Sequence, residues 1–369
     1  MKKSLLWIVV LVLSISMVAA FSLYGCKAAE EAVEEETVEA VAEETVAEEQ
    51  EVAEEQELVP IIVGLGQPDP YDIGIFVAIE KGFWLEEGLL VEIRNFDSHA
   101  FAHEAVMVGD IDFANPANFA TTMRLGKSDT FIMASNETRG PKWANLVALD
   151  SIEKIEDVKV GANLTGTLWD FVWGSFIENE NLDIELKSFA AATDMVAALS
   201  RGDVDAVWLW AEPRRQALLL ENTHIISDYP EYASCFMTLV ASGDMIRNRP
   251  EIAEAYMRGY QKAYDWIAES EENQKEANKI CADYTNIPED LIESQNEGSI
   301  FGISLTNNMA DILDSMVVWG SNKGLFEYYD IHKRITPKII EAALGKTDYV
   351  IPEDIEDPLT YSEPLVKTK

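Results

Sequence analysis

The chain alternates between short apolar runs and longer stretches in which apolar residues recur at helical spacing. One apolar run ends at Val63-Gly64 and another at Val160-Gly161, and each is followed by a polar loop and then by an apolar helical pattern. A short apolar run is typical of a buried strand, and spacings of three and four residues are typical of an amphipathic helix. The pattern therefore predicts a unit of strand, loop, helix, strand, helix and strand that occurs twice.

The two predicted units also resemble each other in sequence, at a constant offset of 93 residues. Val91–Phe96 reads VEIRNF, and Ile184–Phe189 reads IELKSF. Further on, Ala105–Asp112 reads AVMVGDID and Ala198–Asp205 reads ALSRGDVD. Because the match continues without a gap and keeps a Gly-Asp-x-Asp sequence, we interpret it as an internal duplication rather than a chance similarity.

Two such units in tandem predict an α/β fold. Strands that alternate with helices form βαβ units and parallel-rich sheets, and each unit is expected to form one lobe. In open α/β sheets, ligands bind outside the carboxyl ends of the strands, so two lobes that face each other enclose a cleft. The expected architecture is a two-lobed clamshell that closes around a solute by hinge motion.

From Ala233 onward the pattern changes to one strand followed by helices. Ser234 to Ser242 reads as a strand, and we expect the helical block after it to pack on lobe 1. The predicted helices cover Pro250 to Ala268, Glu271 to Tyr284, Pro288 to Ser294 and Met309 to Lys323. The predicted divisions are a signal peptide at 1–26, an acidic disordered tether at 27–57, the first part of lobe 1 at 58–148, lobe 2 at 149–232, the return of lobe 1 with the C-terminal helices at 233–347, and a tail at 348–369.

The N-terminal residues read as an export signal. Lys2 and Lys3 precede an apolar run from Leu5 to Phe21, which is followed by Leu23-Tyr24-Gly25-Cys26. A basic region before an apolar stretch is typical of a signal peptide, and the Leu-x-Gly-Cys ending resembles a bacterial lipobox, whose Cys is acylated after cleavage. An uncleaved transmembrane anchor is the alternative. In both cases the rest of the chain is expected outside the cytoplasm and attached to the membrane.

Charge narrows the choice of partners. Of the formal net charge of −38, residues 1–26 contribute +2 and residues 27–57 contribute −13, so residues 58–369 carry −27. The stretch 27–57 has fourteen Glu and few large side chains, so it is expected to remain an extended tether. An acidic surface repels phosphate backbones, and nucleic acid is therefore not an expected partner.

Three segments carry a family resemblance. Ala78–Leu89 reads AIEKGFWLEEGL, Ala198–Pro213 reads ALSRGDVDAVWLWAEP, and Ser151–Gly161 fits a third motif more loosely. These segments resemble, in the same order, motifs of the NMT1/THI5-like and nitrate/sulfonate/taurine solute-binding proteins. The resemblance spans roughly residues 60 to 345, and it gives almost no information about the substrate.

The resemblance implies both a fold and a role. The fold is a periplasmic-binding-protein type II clamshell, and the role is that of a receptor that delivers a small molecule to the membrane permease of an ABC importer. Neither an enzyme activity nor a cofactor is implied, and a monomer is expected. Thiamine-pyrimidine synthases in one branch of the family use a Cys-rich cluster, whereas the Cys residues here are isolated. A tethered sensor without a transporter is a further alternative.

In the first unit, the loop from Gly66 to Asp72 is predicted to reach the cleft. Gln67 and Tyr71 are expected to contact the ligand. Asp69 or Asp72 either caps the following helix or accepts hydrogen bonds from a cationic or amine-bearing ligand.

Two further positions of the first unit are candidates for ligand contact. Ser98 and His99 begin the helix after the second strand, and His99 is predicted to form a hydrogen bond in the cleft. A metal shared by His99 and His103 is the alternative, although no third ligand is evident. Asn115 ends the third strand and is expected to face the second unit across the cleft.

In the second unit, Thr165, Gly166 and Thr167 occupy the place equivalent to the Gly66 loop. Their hydroxyl and backbone N–H groups at a helix start suit a sulfonate or carboxylate, and plain N-capping is the alternative. Trp169 either stacks on the solute or closes the core.

The end of the second repeat supplies further candidates. Trp210 and Glu212 are expected to contact the ligand, with lobe–lobe packing as the alternative, and Trp208 corresponds to Asn115. Arg139 and Lys142, between the two units, are the basic residues considered for neutralising an anion.

The sequence leaves open the chemical class of the ligand and the pairing of the two cysteines. Three Trp residues suit a flat or methylated solute, and the Thr-Gly-Thr segment suits an acidic group, so a sulfonate- or taurine-like zwitterion is the first choice. A pyrimidine-type thiamine precursor is the second. Cys235 and Cys281 are predicted to be two buried thiols, although an exported chain also permits a disulfide.

Overall fold

The strands form two mixed sheets. The computed structural model describes residues 57–66, 69–230 and 233–366, and these residues belong to one compact unit. The strands are β1 (Val59–Leu65), β2 (Leu89–Asn95), β3 (Phe113–Ala114), β4 (Thr130–Thr138), β5 (Ala144–Leu149), β6 (Val160–Leu164), β7 (Glu185–Phe189), β8 (Ala206–Trp210), β9 (Thr223–Asp228), β10 (Phe236–Ser242) and β11 (Ile300–Ser304).

The helices of the described part cover the sheets and connect their strands. They are α1 (Ile73–Glu80), α2 (Phe83–Glu86), α3 (His99–Val108), α4 (Asn118–Leu125), α5 (Leu168–Asn179), α6 (Ala192–Arg201), α7 (Ala211–Leu218), α8 (Gly243–Asn248), α9 (Pro250–Glu269), α10 (Glu271–Thr285), α11 (Glu289–Asn296), α12 (Asn307–Asn322) and α13 (Lys338–Leu344).

Each sheet contains one copy of the predicted repeat. The strand orders are β11-β4-β10-β3-β1-β2 and β7-β6-β8-β5-β9. Within each copy the first strand lies between the other two and is parallel to both. The predicted α/β fold with two sheets is therefore confirmed.

The antiparallel strands of both sheets were not predicted. β10 runs antiparallel beside β3, and β5 runs antiparallel beside β8. The chain passes from the first sheet to the second between β4 and β5 and returns between β9 and β10. A strand that enters a sheet directly from the other sheet needs no helical crossover, so it can add in the antiparallel direction.

The duplication is visible in the hydrogen bonds of two equivalent aspartates. Asp112 and Asp205 immediately precede the third strand of their repeats, β3 and β8. The Asp112 carboxylate accepts the backbone N–H of Ile62 at 2.8 Å, and the Asp205 carboxylate accepts that of Val160 at 2.9 Å. Each carboxylate therefore ties the first strand of its own repeat to the residue that precedes the third strand.

A second pair of equivalent contacts lies nearby. Arg94 donates to the carbonyl of Asp110 at 3.0 Å, and Lys187, at the same place in the second copy, donates to the carbonyl of Asp203 at 2.6 Å. The 93-residue offset thus relates tertiary contacts as well as sequence.

The helix ends of the two copies also match. Gly109 ends α3 with φ 79°, and Gly202 ends α6 with φ 72°. Glycine adopts this left-handed conformation without the steric cost that a Cβ atom adds, so it is the usual residue at such a helix end.

The most conspicuous motif of the sequence serves the core. Trp84 is 1% exposed, stacks on Tyr256 with 5.2 Å between ring centroids, and donates its indole N–H to the Tyr256 carbonyl at 2.8 Å. Gly259 lies against the same indole ring, where a Cβ atom would approach within 2.2 Å. The Ala78–Leu89 segment therefore joins the first copy to α9 of the C-terminal block.

The C-terminal block packs on the first copy, as expected. α9 contacts α1 and α2, and α10 contacts α1. A fully buried guanidinium, that of Arg334, donates to the carbonyls of Leu125, Tyr361 and Glu363. The last described residues are thereby tied to the first sheet.

Some predictions concern residues that the structure does not describe. The predicted signal peptide, the predicted acylation site Cys26 and all of the predicted tether except Glu57 lie outside the described residues. Within the described part of the chain, no helix has both the length and the apolar character that crossing a bilayer requires.

Candidate ligand-binding cavity

A cavity of about 730 Å³ is lined by residues of both repeats. Its walls come from the loops that follow β1, β2, β6 and β8, together with the residues between β4 and β5. The carboxyl ends of parallel strands meet at one edge of a sheet, so these loops converge there. The volume lies within the range of small-molecule sites.

Most of the residues predicted from the sequence meet at this cavity. Those that line it are Tyr71, Ser98, His99, Thr165, Gly166, Thr167, Trp169, Trp210 and Glu212. Asp72 and Asn115 are fully buried and do not line it. Gln67 lies outside the described residues.

Asp72 and Asn115 instead hold the floor of the cavity in place. His99 lies 3.0 Å from the Tyr71 hydroxyl through Nδ1 and 3.2 Å from Asp72 Oδ1 through Nε2. The Asn115 amide donates to the same Asp72 oxygen at 3.2 Å. Both side chains lie below the cavity surface and help to hold His99 in position, and the expected ligand contacts of Asp72 and Asn115 stay predictions.

Gly66 allows the floor to pack this closely. A Cβ atom at this position would lie 2.3 Å from Nδ1 of His99 and 2.8 Å from its backbone nitrogen. The β1 loop can therefore approach the start of α3 only because residue 66 has no side chain.

The opposite wall consists of three stacked indoles. The ring centroids of Trp143 and Trp169 are 5.5 Å apart, and those of Trp169 and Trp210 are 4.8 Å apart. Trp169 is enclosed between its neighbours, whereas Trp210 ends the stack and is partly exposed. Trp208 lies outside the cavity and is buried against Trp173.

Trp143 was missed by the sequence argument. It lies in the crossover between β4 and β5, 6% exposed, and its indole N–H has no hydrogen-bond partner within the described residues. Its proximity in sequence to Arg139, at the passage between the two sheets, was the signal that could have found it.

A strained backbone position aims the end of β8 at the cavity. Ala211 has φ 43° and is 4% exposed. Non-glycine residues rarely adopt this conformation, and its cost is tolerated mainly at functional sites. The turn places Trp210 and Glu212 on either side of it in the cavity wall.

The start of α5 already has protein partners for most of its polar groups. The N–H of Gly166 donates to Asp170 at 2.6 Å, the hydroxyl of Thr165 donates to Ser188 at 2.8 Å, and Thr167 caps the helix with its hydroxyl oxygen. Burial raises the pKa of Asp170, which lies in the first turn. The capping alternative accounts for this segment better than an anion site does.

Two side chains of opposite charge, Asp69 and Arg139, line the cavity and interact electrostatically. Asp69 is 5% exposed, and burial raises its pKa to about 7, although the Arg139 guanidinium opposes this shift. That guanidinium lies 4.4 Å from the centre of the Tyr71 ring and donates to the side chain of Asn296 at 3.3 Å. Lys142, by contrast, pairs with Glu297 at the surface.

Arg124 joins the two sides of the cavity. It donates to Glu104 at 3.1 and 2.8 Å and to the carbonyl of Gly166 at 3.4 Å. Glu212 is similarly paired with Arg215 at 2.6 Å. These pairs leave the cavity without an excess of positive charge.

The His residues of α3 do not converge on one point. His103 is fully buried, lies 3.0 Å from the Thr130 hydroxyl, and has its pKa lowered to about 3 by burial. His99 belongs to the floor network. Across the described residues, no three His, Cys, Asp or Glu side chains are grouped so as to hold a metal.

The two described cysteines, Cys235 and Cys281, are both buried and form no disulfide with each other. Cys235 lines the cavity, and the pKa of Cys281 is raised by burial. The structure therefore agrees with the expectation of two thiols rather than a disulfide.

The two sheets and the cavity between the repeats define a periplasmic-binding-protein fold. Residues 69–274, more than half of the chain, match the family described as NMT1/THI5 like, and the chain belongs to that family. No curated protein sequence matches the chain significantly.

Solved structures share the fold at low sequence identity. The aliphatic sulphonate binding protein SsuA from Escherichia coli is 16% identical with a TM-score of 0.64, covering 75% of this chain and 91% of that one. The alkanesulfonate-binding protein SsuA from Xanthomonas axonopodis pv. citri, bound to MOPS, is 13% identical with a TM-score of 0.64, at 76% and 98% coverage. The nitrate-binding protein NrtA from Synechocystis is 14% identical with a TM-score of 0.61, at 82% and 92% coverage.

Proposed function

We propose that this protein is an extracytoplasmic receptor that binds a small solute and delivers it to an ABC importer. The observation that carries the proposal is the cavity, which takes its walls from the carboxyl ends of strands in both sheets. Each sheet would form the core of one lobe, and closure of the lobes around the solute would create the surface that the permease recognises. The family and the named structural relatives support this role.

The receptor would be held at the membrane by a lipid on Cys26. The support comes from the sequence alone: a basic start, an apolar run and the Leu-x-Gly-Cys ending. The acidic stretch 27–57 would then separate the folded part from the bilayer. Replacement of Cys26 by Ser should move the protein from the membrane fraction to the soluble fraction and abolish labelling with a fatty acid. Unchanged membrane retention would indicate an uncleaved transmembrane anchor instead.

Between the two ligand classes suggested by the sequence, the cavity favours the flat nitrogen heterocycle over the sulfonate-like anion. Its wall is a stack of indoles, on which a planar ring can pack. The arginines of the cavity already interact with protein groups, and an Asp occupies the helix start that an anion would need.

Thermal unfolding against a solute panel tests the receptor proposal. The panel holds taurine, alkanesulfonates, nitrate, bicarbonate, aminopyrimidines and aromatic acids. A true ligand present at about 100 times its dissociation constant should stabilise the protein by roughly 2.7 kcal/mol. Binding together with solute-dependent cross-linking to a permease supports the importer, whereas binding without a permease supports a tethered sensor. If no solute binds, the receptor proposal fails.

A further inference from the structure

We propose that Asp69 is the specificity-determining residue of the cavity, and that it selects an uncharged or cationic planar solute by accepting a hydrogen bond from a ring or exocyclic nitrogen. The inference rests on the proposed receptor function and deepens it. It identifies the hydrogen-bond donor that the solute must have and the residue, Asp69, that recognises this donor.

The position of Asp69 fits this role. Asp69 lines the cavity and is 5% exposed, so a ligand in the cavity can approach it while bulk water hardly does. Its one described hydrogen bond is a long one, 3.4 Å from the backbone N–H of Tyr71. A buried carboxylate with so little hydrogen bonding gains strongly from a new donor.

The charged groups around Asp69 come from several elements. Its own short segment contributes Asp72 and Tyr71, α3 contributes His99, and the β4–β5 crossover contributes Arg139. Cys281 of α10 and Arg214 of α7 also interact with it electrostatically. Among these groups, the positive charge of Arg139 has the largest stabilising effect on the ionised Asp69. The Arg139 guanidinium also contacts the face of the Tyr71 ring.

A complementary donor lies in the same cavity. The indole N–H of Trp143 is buried and lacks a partner within the described residues, and Trp143 stands at one end of the indole stack. A ligand that offers a donor to Asp69 and an acceptor to Trp143 would satisfy both groups. Amino-substituted nitrogen heterocycles carry such a donor next to an acceptor, whereas a sulfonate or nitrate offers acceptors alone and would repel the carboxylate.

Proton linkage follows from this arrangement. Burial raises the pKa of Asp69 to about 7, and a ligand that donates to the carboxylate lowers this pKa. The ligand therefore binds the ionised form, and its affinity should fall as the pH drops through about 7 and level off above it. Between about pH 8 and pH 6 the expected loss is up to about tenfold.

The test uses calorimetry to measure the binding of two planar pyrimidines, one that can donate a hydrogen bond to Asp69 and one that carries a negative charge. Cytosine presents an amino donor beside a ring acceptor and keeps its charge between about pH 6 and pH 8, and orotate is a carboxylate anion of similar shape. We expect the protein to bind cytosine more tightly than orotate, with the pH dependence given above. Asp69→Asn should weaken cytosine binding by about 10- to 100-fold and abolish its pH dependence.

Asp311→Asn is the matched control. Asp311 is an exposed carboxylate on α12, away from the cavity, so its loss should leave both the affinity and the pH profile unchanged. Asp69→Asn should fold, because an amide is easier to bury than a carboxylate, and thermal unfolding checks this.

Three results would overturn the inference. They are tighter binding of orotate than of cytosine, an Asp69→Asn variant that keeps the wild-type cytosine affinity and pH profile, and a failure of the protein to bind cytosine at all. In each case the receptor proposal would still be judged by the wider solute panel, so the two ideas fail separately.

Discussion

The two sides of the cavity descend from the same duplicated unit but present different chemistry. On the side of the first copy, Tyr71, His99 and Asp72 form a polar network in which each side chain is fixed by another. On the side of the second copy, Trp169 and Trp210 form an aromatic surface. A solute held between them would be hydrogen-bonded on one side and stacked on the other.

The hydrogen bonds that hold the strands of each copy together show the opposite behaviour. Asp112 and Asp205 make equivalent hydrogen bonds, and the contacts of Arg94 and Lys187 are equivalent as well. The duplicated frame is thus kept where it builds the sheets and has diverged where it builds the cavity. In each copy, the residues that stabilise the sheet are different from the residues that line the cavity. The same fold can therefore have a polar cavity wall in one copy and an aromatic wall in the other.

Removing the centre of the aromatic wall should have the largest effect. Trp169→Ala leaves a cavity between two indoles, and we expect the free energy of unfolding to fall by about 3–5 kcal/mol and ligand binding to be lost. Trp208→Ala is the matched control, because it removes a buried indole of the same repeat outside the cavity. If the two variants lose affinity to the same extent, the wall has no specific role in binding; Phe replacements make the same comparison should either variant not fold.

On the polar side, two buried groups should give stability opposite dependences on pH. Burial lowers the pKa of His103 from 6.5 to about 3, so the unfolded state binds more protons in that window and stability is lost as the pH falls below about 6.5. Burial raises the pKa of Asp69 from 3.8 to about 7, so the folded state binds more protons and stability is gained as the pH falls from about 7 to 4. Each slope approaches about 1.4 kcal/mol per pH unit, and in the wild type they largely cancel.

Single variants should uncover these slopes. His103→Gln, which can still bond to Thr130, should become more stable on acidification from about pH 6.5 to pH 4, and Asp69→Asn should become less stable over the same range. Urea unfolding at several pH values measures both. Parallel curves for the two variants would contradict the assignment.

Sequence reasoning was most successful for the long C-terminal helices and for the repeated units. The predicted helices from Pro250 and from Glu271 end within one residue of α9 and α10, because proline starts and amphipathic spacing are local signals. The duplication fixed both parallel strand triplets. It could not reveal β5 and β10 as antiparallel insertions, since their partners lie in the sheet that the chain has just entered.

Within the cavity, residue type and loop position identified most wall residues but not their depth. Asp72 and Asn115 follow strands just as the wall residues do, yet they lie a layer below the surface. Trp143 and Arg124 belong to no motif, and only the tertiary fold brings them to the cavity. Burial and partner choice depend on packing between the copies, which no local pattern encodes.

Replacement of Asp112 or Asp205 should lower the stability of both copies, but not to the same extent. Asp205 accepts two backbone N–H groups, at 2.8 and 2.9 Å, whereas Asp112 accepts one at 2.8 Å together with a partly exposed Arg249. We expect Asp205→Ala and Asp112→Ala each to cost about 1–3 kcal/mol of unfolding free energy, with Asp205→Ala the larger. Asn at either position keeps an acceptor and should recover part of the loss. A negligible effect in one copy would show that the equivalence is geometric only.

The smallest effect is expected at the hydroxyl that the sequence favoured as an anion contact. Thr165 is exposed, and its hydroxyl donates to Ser188 at 2.8 Å. Thr165→Val should therefore change stability by no more than about 0.5 kcal/mol and ligand affinity by less than about twofold. Ser188→Ala, which removes the partner and leaves the Thr165 hydroxyl in place, is the control. A tenfold loss of affinity in Thr165→Val but not in Ser188→Ala would mean that the second copy also hydrogen-bonds the solute, and the division between a polar and an aromatic wall would no longer hold.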